Sequence, residues 1–214
     1  MINIYKLIFI NLIFTMSKYL CVLDFEATCW DKSPNLNRQE IIEFPSVLYE
    51  LNTINEVIFI SEFSKYVKPV LEPVLSDFCT GLTGITQEQV NDANIIQIVY
   101  KEHFEWLKAN TPSNADIYII TCGAWDLKTM LPKEINNKKL HYHQVYKTYI
   151  NIKDEFEYFY KKKAGGMVGM LDYLNIKLEG RHHSGIDDTR NIAKILLRII
   201  SDGHTNFKIN KVFN

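Results

Sequence analysis

Residues 19–26 read Tyr-Leu-Cys-Val-Leu-Asp-Phe-Glu, an apolar run that ends in two carboxylates. The apolar part predicts a buried strand, and strand alternation puts Asp24 and Glu26 on the same face. Buried carboxylates need cations, hydrogen bonds or water, because an unpaired buried charge is strongly destabilising. Neighbouring carboxylate oxygens suit Mg²⁺ or Mn²⁺. For an isolated Asp-x-Glu the alternative is a solvated strand end, so the choice depends on the rest of the chain.

The composition predicts one globular domain without a general nucleic-acid-binding charge. The chain has 214 residues, of which 47% are hydrophobic, enough for one full core. Its 24 basic residues balance 25 acidic ones. Since no basic field would attract a polyanion from a distance, any polyanion must be bound locally.

The cysteines predict a reducing compartment. Cys21, Cys29, Cys79 and Cys122 lie far apart without a Cys-x-x-Cys pair. Reduced thiols are therefore expected, and with them a cytoplasmic or nuclear setting.

Residues 1–16 form an apolar leader whose role the sequence leaves open. It has the length of a signal-peptide core but lacks a small-residue cleavage site, and it is short for a membrane span. It is a dispensable segment upstream of a start at Met16, a signal or anchor, or an extra structural element. We expect the domain to cover residues 17–204, followed by a C-terminal tail at 205–214.

The order of predicted elements indicates an α/β fold. The predicted strands cover residues 19–23, 40–51, 56–68, 117–120 and 149–152, the middle two forming a hairpin. The predicted helices cover residues 75–82, a segment that follows the capping box at 86–89, and residues 125–131, 154–163, 167–174 and 188–200; Pro132 is expected to stop the third of these. This pattern predicts a mixed central sheet of about five strands flanked by helices.

Further acidic residues are expected near Asp24 and Glu26. Ligands of open α/β sheets gather at the carboxyl ends of the strands, where Asp126 follows a strand and Asp188 opens the last long helix. Taken singly, Asp126 and Asp188 are also good residues for a helix start. His183 lies five residues before Asp188 on a glycine-containing loop. A neutral imidazole at this position could take a proton from an attacking water.

Four segments resemble a known enzyme class. They are Asp24-Phe25-Glu26-Ala27-Thr28-Cys29, Leu82-Thr83-Gly84-Ile85-Thr86-Gln87, Thr121-Cys122-Gly123-Ala124-Trp125-Asp126 and Gly180-Arg181-His182-His183-Ser184-Gly185-Ile186-Asp187-Asp188-Thr189-Arg190-Asn191-Ile192-Ala193. They resemble the three exonuclease motifs of the DEDDh-class 3′–5′ exonucleases and look most like the Eri-type exoribonucleases, relatives of the histone mRNA 3′ exonuclease. The resemblance spans about residues 19–200.

This resemblance implies a ribonuclease H-like fold and two-metal-ion hydrolysis that removes 5′-nucleotides from RNA 3′ ends. The cofactors would be two Mg²⁺ ions, with Mn²⁺ as a substitute. Asp24 would bridge both ions, Glu26 and Asp188 would complete their sites, and Asp126 would hold the second ion through water. His183 matches the general base, whereas its neighbours His182 and Asp187 do not occupy the matching positions.

The resemblance also implies a substrate site that takes a single-stranded or short overhanging RNA 3′ end. The implied substrate contacts are Phe25, Ala27, Thr28, Phe78, Leu82, Trp125 and His183. Gly81 and Ala124 stand where relatives often carry acids, so substrate contacts can differ. No stable membrane partner is expected. Two alternatives stay open: a DNA-directed 3′–5′ exonuclease and a catalytically silent nucleic-acid-binding module.

Overall fold

A computed structural model describes residues 17–32 and 36–213, and its centre is one mixed sheet. The strands are β1 (Lys18–Leu23), β2 (Glu26–Ala27), β3 (Ile41–Leu51), β4 (Val57–Lys68), β5 (Asn94–Ile95), β6 (Asp116–Thr121), β7 (Thr148–Asn151) and β8 (Asn210–Lys211). Their spatial order is β5-β4-β3-β1-β6-β7-β8, and β2 pairs with β3. Strand β1 runs antiparallel to β3 and parallel to β6, so the predicted buried strand lies at the centre of the sheet.

Helices cover both faces of this sheet. They are α1 (Asp77–Thr83), α2 (Gln87–Asn91), α3 (Ile96–Asn110), α4 (Leu131–Lys138), α5 (Ile152–Tyr160), α6 (Gly166–Tyr173) and α7 (Gly185–Ser201). A π-helical turn, Asp126–Met130, precedes α4, and two 3₁₀ turns lie at Leu36–Arg38 and Gln144–Lys147. The α/β class with a mixed sheet is therefore confirmed.

Strand β1 feeds two separate cores because its side chains alternate between the two faces. Tyr19, Cys21 and Leu23 pack into one core with α3, α4 and the π-helical turn. Leu20 and Val22 pack into the other core with α5, α6 and α7. All five side chains are less than a tenth exposed, which explains the continuous apolar run in this part of the sequence.

The five longer strands match the predicted ones, and the sequence missed the three two-residue strands β2, β5 and β8. The short β5 also divides what the sequence read as one helical segment. The capping box is formed between Thr86 and Gln89, but it opens only the five-residue α2. The amphipathic helix α3 begins afterwards, at Ile96.

The predicted helix stop at Pro132 is wrong. After Trp125 the chain forms the π-helical turn and continues directly into α4. Pro132 lies in the first turn of α4. Proline is tolerated there because a first-turn N–H has no partner within the helix, and the wide π turn accommodates the junction.

The C-terminal segment is part of the folded unit rather than a tail. Strand β8 pairs antiparallel with β7, and Val212 is buried in the core. The backbone N–H of Lys208 donates to Glu155 of α5 at 2.9 Å. The leader at 1–16 lies outside the described residues. Within the described ranges, no helix has the length and apolar character needed to cross a membrane.

Candidate active site

Asp24 and Glu26 lie together at the carboxyl end of β1, as the alternation predicts. Phe25 between them turns into the core, where its ring contacts Phe44 edge-on at 4.5 Å between centroids. Asp24 and Glu26 therefore lie on the opposite side, and both are half-buried. Phe25 is only 5% exposed, so a substrate could contact this residue only through its backbone.

Asp126 joins them because β6 is the parallel neighbour of β1. Parallel strands end at the same edge of a sheet, and Asp126 begins the π-helical turn just beyond β6. Its carboxylate Oδ1 accepts the backbone N–H of Phe25 at 3.0 Å. This bond fixes Asp126 directly beside the two carboxylates that follow β1.

Asp188 completes the group from the other side. Helix α7 begins at Gly185, so Asp188 lies within the first turn rather than opening the helix. Its Oδ2 accepts the backbone N–H of His183 at 2.9 Å. Its Oδ1 is buried and has no hydrogen-bond partner among the described residues. A buried carboxylate oxygen needs a partner, and a cation is one that would fit here.

Burial and repulsion between neighbouring charges raise the pKa values of these carboxylates. Burial raises the pKa of Asp24 well above its ordinary value, and the charges of Asp126, Glu26, Asp188 and Glu43 raise it further. Burial, followed by the charges of Glu43 and Asp188, raises the pKa of Glu26 to about 9. Burial also raises the pKa of Asp126 to about 6, against the hydrogen bond from Phe25. The carboxylates crowd one another, which favours protons or cations between them.

The donor set fits divalent metal. Two carboxylates after β1, one after β6 and one in α7 supply hard oxygen ligands, and the unpartnered Oδ1 of Asp188 is free to bind a cation. Among the described residues, the group of three or more possible ligands whose ligand atoms lie within 4.8 Å of one another is His182, His183 and Asp188. The set of four carboxylates is the better match for a hard cation, because imidazole nitrogens are softer donors.

The two histidines occupy one tight loop. His183 adopts a left-handed backbone with φ +67°, and its ring stacks on that of His182 at 3.9 Å. His182 Nε2 lies 3.9 Å from Asp188 Oδ2. Burial, followed by the positive charges of His182 and Arg181, lowers the pKa of His183. His183 is thus kept neutral near neutral pH, as a base must be.

Asp187, next to Asp188 in the sequence, forms structural contacts with two arginines. Its Oδ2 accepts the backbone N–H of Arg181 at 2.9 Å, and its Oδ1 lies 3.6 Å from Arg190. These contacts brace the histidine loop, residues 180–184. They agree with the expectation that Asp188, rather than Asp187, faces the other carboxylates.

The residues expected to contact a substrate differ in how they can do so. Phe78 and Trp125 are 42% and 39% exposed, which leaves their rings available to a base. Leu82 is half-buried on the same helix as Phe78. Ala27 and Thr28 are buried, and Thr28 Oγ1 accepts the N–H of Glu40. A substrate can reach these last two only through their backbone.

Sequence reasoning missed two residues that hold the site together. Glu43 of β3 is 3% exposed and accepts hydrogen bonds from the first turn of α7. Arg181 donates to the carbonyls of Gly81 and Leu82 in α1. A glutamate inside the apolar run of β3 was the available signal, since a buried acid needs donors.

The first half of α1 is also tied to the strand end. The Cys79 thiol donates to the carbonyl of Ala27 at 3.8 Å, and the neighbouring Cys29 lowers the pKa of Cys79 to about 7. Ser76 caps α1 and donates to the carbonyl of Cys29 at 2.6 Å. All four cysteines are free, so the expectation of reduced thiols agrees with the structure.

Comparisons with known proteins agree with this geometry. The family model of the exonuclease family (RNase_T) matches residues 21–196. The chain is 39% identical over 188 residues to 3′-5′ exoribonuclease 1 of Rattus norvegicus, covering 86% of this chain and 54% of the relative. It is 38% identical to ERI1 exoribonuclease 2 of Xenopus laevis, covering 87% of this chain and 29% of that protein. The chain thus spans about half, or less, of the length of these relatives.

A solved structure gives the same result. The nuclease domain of 3′hExo, described as a DEDDh family member bound to rAMP, superposes with a TM-score of 0.83 at 36% identity, covering 92% of this chain and 98% of that chain. The ribonuclease H-like fold expected from the sequence is confirmed by this match. Together with the family match over most of the chain, it shows that this protein belongs to the exonuclease (RNase_T) family.

Proposed function

We propose that the protein is a 3′–5′ exoribonuclease that releases 5′-nucleotides from RNA 3′ ends. The observation that carries the proposal is the convergence of Asp24, Glu26, Asp126 and Asp188 at one sheet edge, with the neutral His183 beside them. The choice of RNA follows the relatives named as exoribonucleases.

The four carboxylates would hold two Mg²⁺ ions, with Mn²⁺ as a substitute. Such ions supply positive charge that stabilises the attacking and leaving oxygens during phosphodiester hydrolysis. Asp126 is held by its bond from Phe25 and Asp188 by its bond from His183, so both ligands are oriented before a cation arrives.

The chain's own residues would carry the proton and orient the substrate. His183 accepts a proton from the attacking water, the water oxygen bonds to phosphorus, the bond from phosphorus to the 3′ oxygen breaks, and the departing 3′ oxygen takes up a proton from solvent. The terminal base can stack on the apolar surface of Phe78, Leu82 and Trp125. Because such stacking needs no base-specific hydrogen bonds, the preference for particular sequences is weak. A single-stranded or short overhanging 3′ end can reach this surface.

We assign the protein to the cytoplasm or nucleus, in keeping with its free cysteines. Localisation of a tagged full chain tests this assignment. A tagged protein found in the secretory pathway would contradict it.

Matched RNA and DNA oligonucleotides, each labelled at the 5′ end, test the activity. With Mg²⁺ the RNA should shorten stepwise from its 3′ end and yield nucleoside 5′-monophosphates, and a chelator should stop the reaction. Asp24→Asn is the matched inactive control. Equal or faster cleavage of DNA would favour the deoxyribonuclease alternative. Binding of RNA without any cleavage would favour the silent binding module.

A further inference from the structure

Glu43 is a buried acid that the proposed metal set does not use. It lies in β3 between Ile42 and Phe44, both fully buried, and is itself 3% exposed. An ionised carboxylate at such a position is destabilising unless donors surround it. Its contacts therefore indicate what it does.

Both oxygens of Glu43 bind the start of α7. Oε2 accepts the backbone N–H of Gly185 at 3.0 Å, and Oε1 accepts that of Ile186 at 3.2 Å. Ser184 at the N-cap makes no side-chain capping bond, so Glu43 serves as the cap from a different element. The first N–H groups of a helix lack partners within the helix and carry partial positive charge, which a carboxylate stabilises.

The contact leaves little room for a side chain at Gly185. A Cβ added at Gly185 would meet Glu43 Oε2 at 2.9 Å and Pro45 Cγ at 3.0 Å. The Glu43 side chain and the Pro45 ring therefore both pack against this point of α7. A methyl group at residue 185 would have to displace the turn or these two side chains.

The docked turn carries the reactive residues. Asp188 lies in it, and its backbone N–H donates to the carbonyl of Ser184 at 2.8 Å. His183 precedes it and donates its own N–H to Asp188 at 2.9 Å. A shift at Gly185 would therefore move the Asp188 carboxylate and the His183 ring together.

We propose that Glu43 is a positioning residue that docks the first turn of α7 on β3 and so places Asp188 and His183 opposite Asp24 and Glu26. The inference rests on the proposed function for its kinetic part. Glu43 differs from the metal ligands because both of its oxygens are occupied by backbone donors, whereas Asp188 Oδ1 has no partner among the described residues.

Glu43→Ala and Glu43→Gln test the proposal, with Glu50→Ala as the matched control from the other end of the same strand. Glu43→Ala should lower kcat by about 10- to 100-fold, the usual effect of losing a residue that orients a ligand, with a smaller change in KM. Glu43→Gln keeps one acceptor oxygen and should fall between wild type and Glu43→Ala. Glu50→Ala should behave as wild type.

Gly185→Ala provides an independent approach from the opposite side of the contact. The added methyl group should displace the same turn and lower kcat in the same way. The double variant Glu43→Ala with Gly185→Ala should lose less than the product of the two single effects, since both disturb one contact. If the losses in kcat of the two single variants multiply in the double variant, the two residues act independently, and the proposal is overturned.

Calorimetric titration with Mn²⁺ in the absence of RNA separates this inference from the proposed function. Glu43→Ala should weaken Mn²⁺ binding by about tenfold or more, and Glu43→Gln should weaken it less.

If wild type binds Mn²⁺ but does not cleave RNA, the proposed function fails while the effect of Glu43 on binding still stands. Loss of Mn²⁺ binding in Glu43→Gln as complete as in Asp24→Asn would make Glu43 a ligand and overturn the proposal. Wild-type kcat and Mn²⁺ affinity in Glu43→Ala would overturn it as well, and if Glu43→Ala does not fold, Glu43→Gln decides.

Discussion

The carboxylates of Asp24 and Glu26 lie side by side at the end of β1, and Glu43 of β3 supports the helix that faces them. Asp24 and Glu26 follow from strand alternation, and the burial of Phe25 between them confirms that alternation. Glu43 could not be assigned in the same way, because its partners are backbone N–H groups 142 and 143 residues away along the chain. Sequence patterns show which side chain needs donors but not where the donors lie.

Asp24→Asn should abolish nuclease activity and make the metal-free protein more stable. Burial and the charges of Asp126, Glu26 and Asp188 disfavour its ionised form, and the amide keeps the shape but is never ionised. The expected result is a higher Tm than wild type at pH 7.5 in chelator, and a smaller rise in Tm on adding Mg²⁺. Thermal melts with and without Mg²⁺ measure both.

The pH dependence of that stability follows from the raised pKa values. The pKa of Glu26 is raised from 4.5 to about 9 and that of Asp126 from 3.8 to about 6. The folded, metal-free chain thus keeps protons that the unfolded chain releases, so stability falls as pH rises from about 4 towards 9. Asp24→Asn should show a shallower fall than wild type. An unchanged slope in chelator would contradict the crowding of these carboxylates.

His183→Ala and His182→Ala should differ, although their rings are stacked. If His183 takes the proton, His183→Ala should lower the single-turnover rate by about 10²- to 10⁴-fold and leave Mn²⁺ binding largely intact. Because burial lowers the pKa of His183, its acid limb should lie below pH 6.5 and disappear in the variant. His182→Ala should cost far less and keep that limb. Rates on one RNA across pH decide it, and equal losses would mean that the base is wrongly assigned.

At the level of elements, the sequence was most informative where one side-chain pattern controls a whole element. The long strands and α7 were predicted from periodicity, but the junctions were not. Pro132 was expected to stop a helix, yet it lies in the first turn of α4, directly after the π-helical turn. The junction depends on backbone hydrogen bonding and on Asp126 binding Phe25, neither of which has a periodic signal.

Arg181 links the histidine loop to the substrate-facing helix α1. Its Nη2 donates to the carbonyl of Gly81 at 2.5 Å and to that of Leu82 at 3.2 Å. The guanidinium group also lies against Gly84, whose φ of +76° ends the helix and where a Cβ would collide with it. The loop and α1 are therefore held as one unit, although 99 residues separate Arg181 from Leu82.

Arg181→Ala should mainly raise KM, because α1 carries Phe78 and Leu82. We expect an increase of about 3- to 10-fold, since the hydrogen bonds are charge-assisted but exposed to solvent. Arg181→Lys should recover part of the loss by reaching one carbonyl. Arg198→Ala is the control: this arginine binds Asp202 at the far end of α7. Steady-state kinetics on a short RNA measure the effect. An unchanged KM in both Arg181→Ala and Arg181→Lys would show that the link is dispensable.

For the whole molecule, the two cores on either side of β1 explain why a single strand organises the chain. Composition predicted one domain and the order of elements predicted its class, because both depend on sums over many residues. The limits of the domain were harder to predict, since they depend on a few edge contacts. Strand β8 is only two residues long and has no distinctive pattern, yet it extends the sheet beyond residue 204.

Removing residues 205–214 should lower stability without removing activity. The deletion would lose the pairing of β8 with β7, the bond from Lys208 to Glu155 and the burial of Val212. Burying a side chain of this size contributes about 1.5–3 kcal/mol, which corresponds to a fall in Tm of about 3–12 °C for a domain of this length.

Because β8 pairs with Thr148 and Tyr149 at the start of β7, it lies away from the carboxyl ends where Asp24 and Asp126 meet. Thermal melts and RNA cleavage at 25 °C test both parts. An unchanged Tm would restore the boundary at 204, and lost cleavage in a folded deletion variant would place part of the site in this segment.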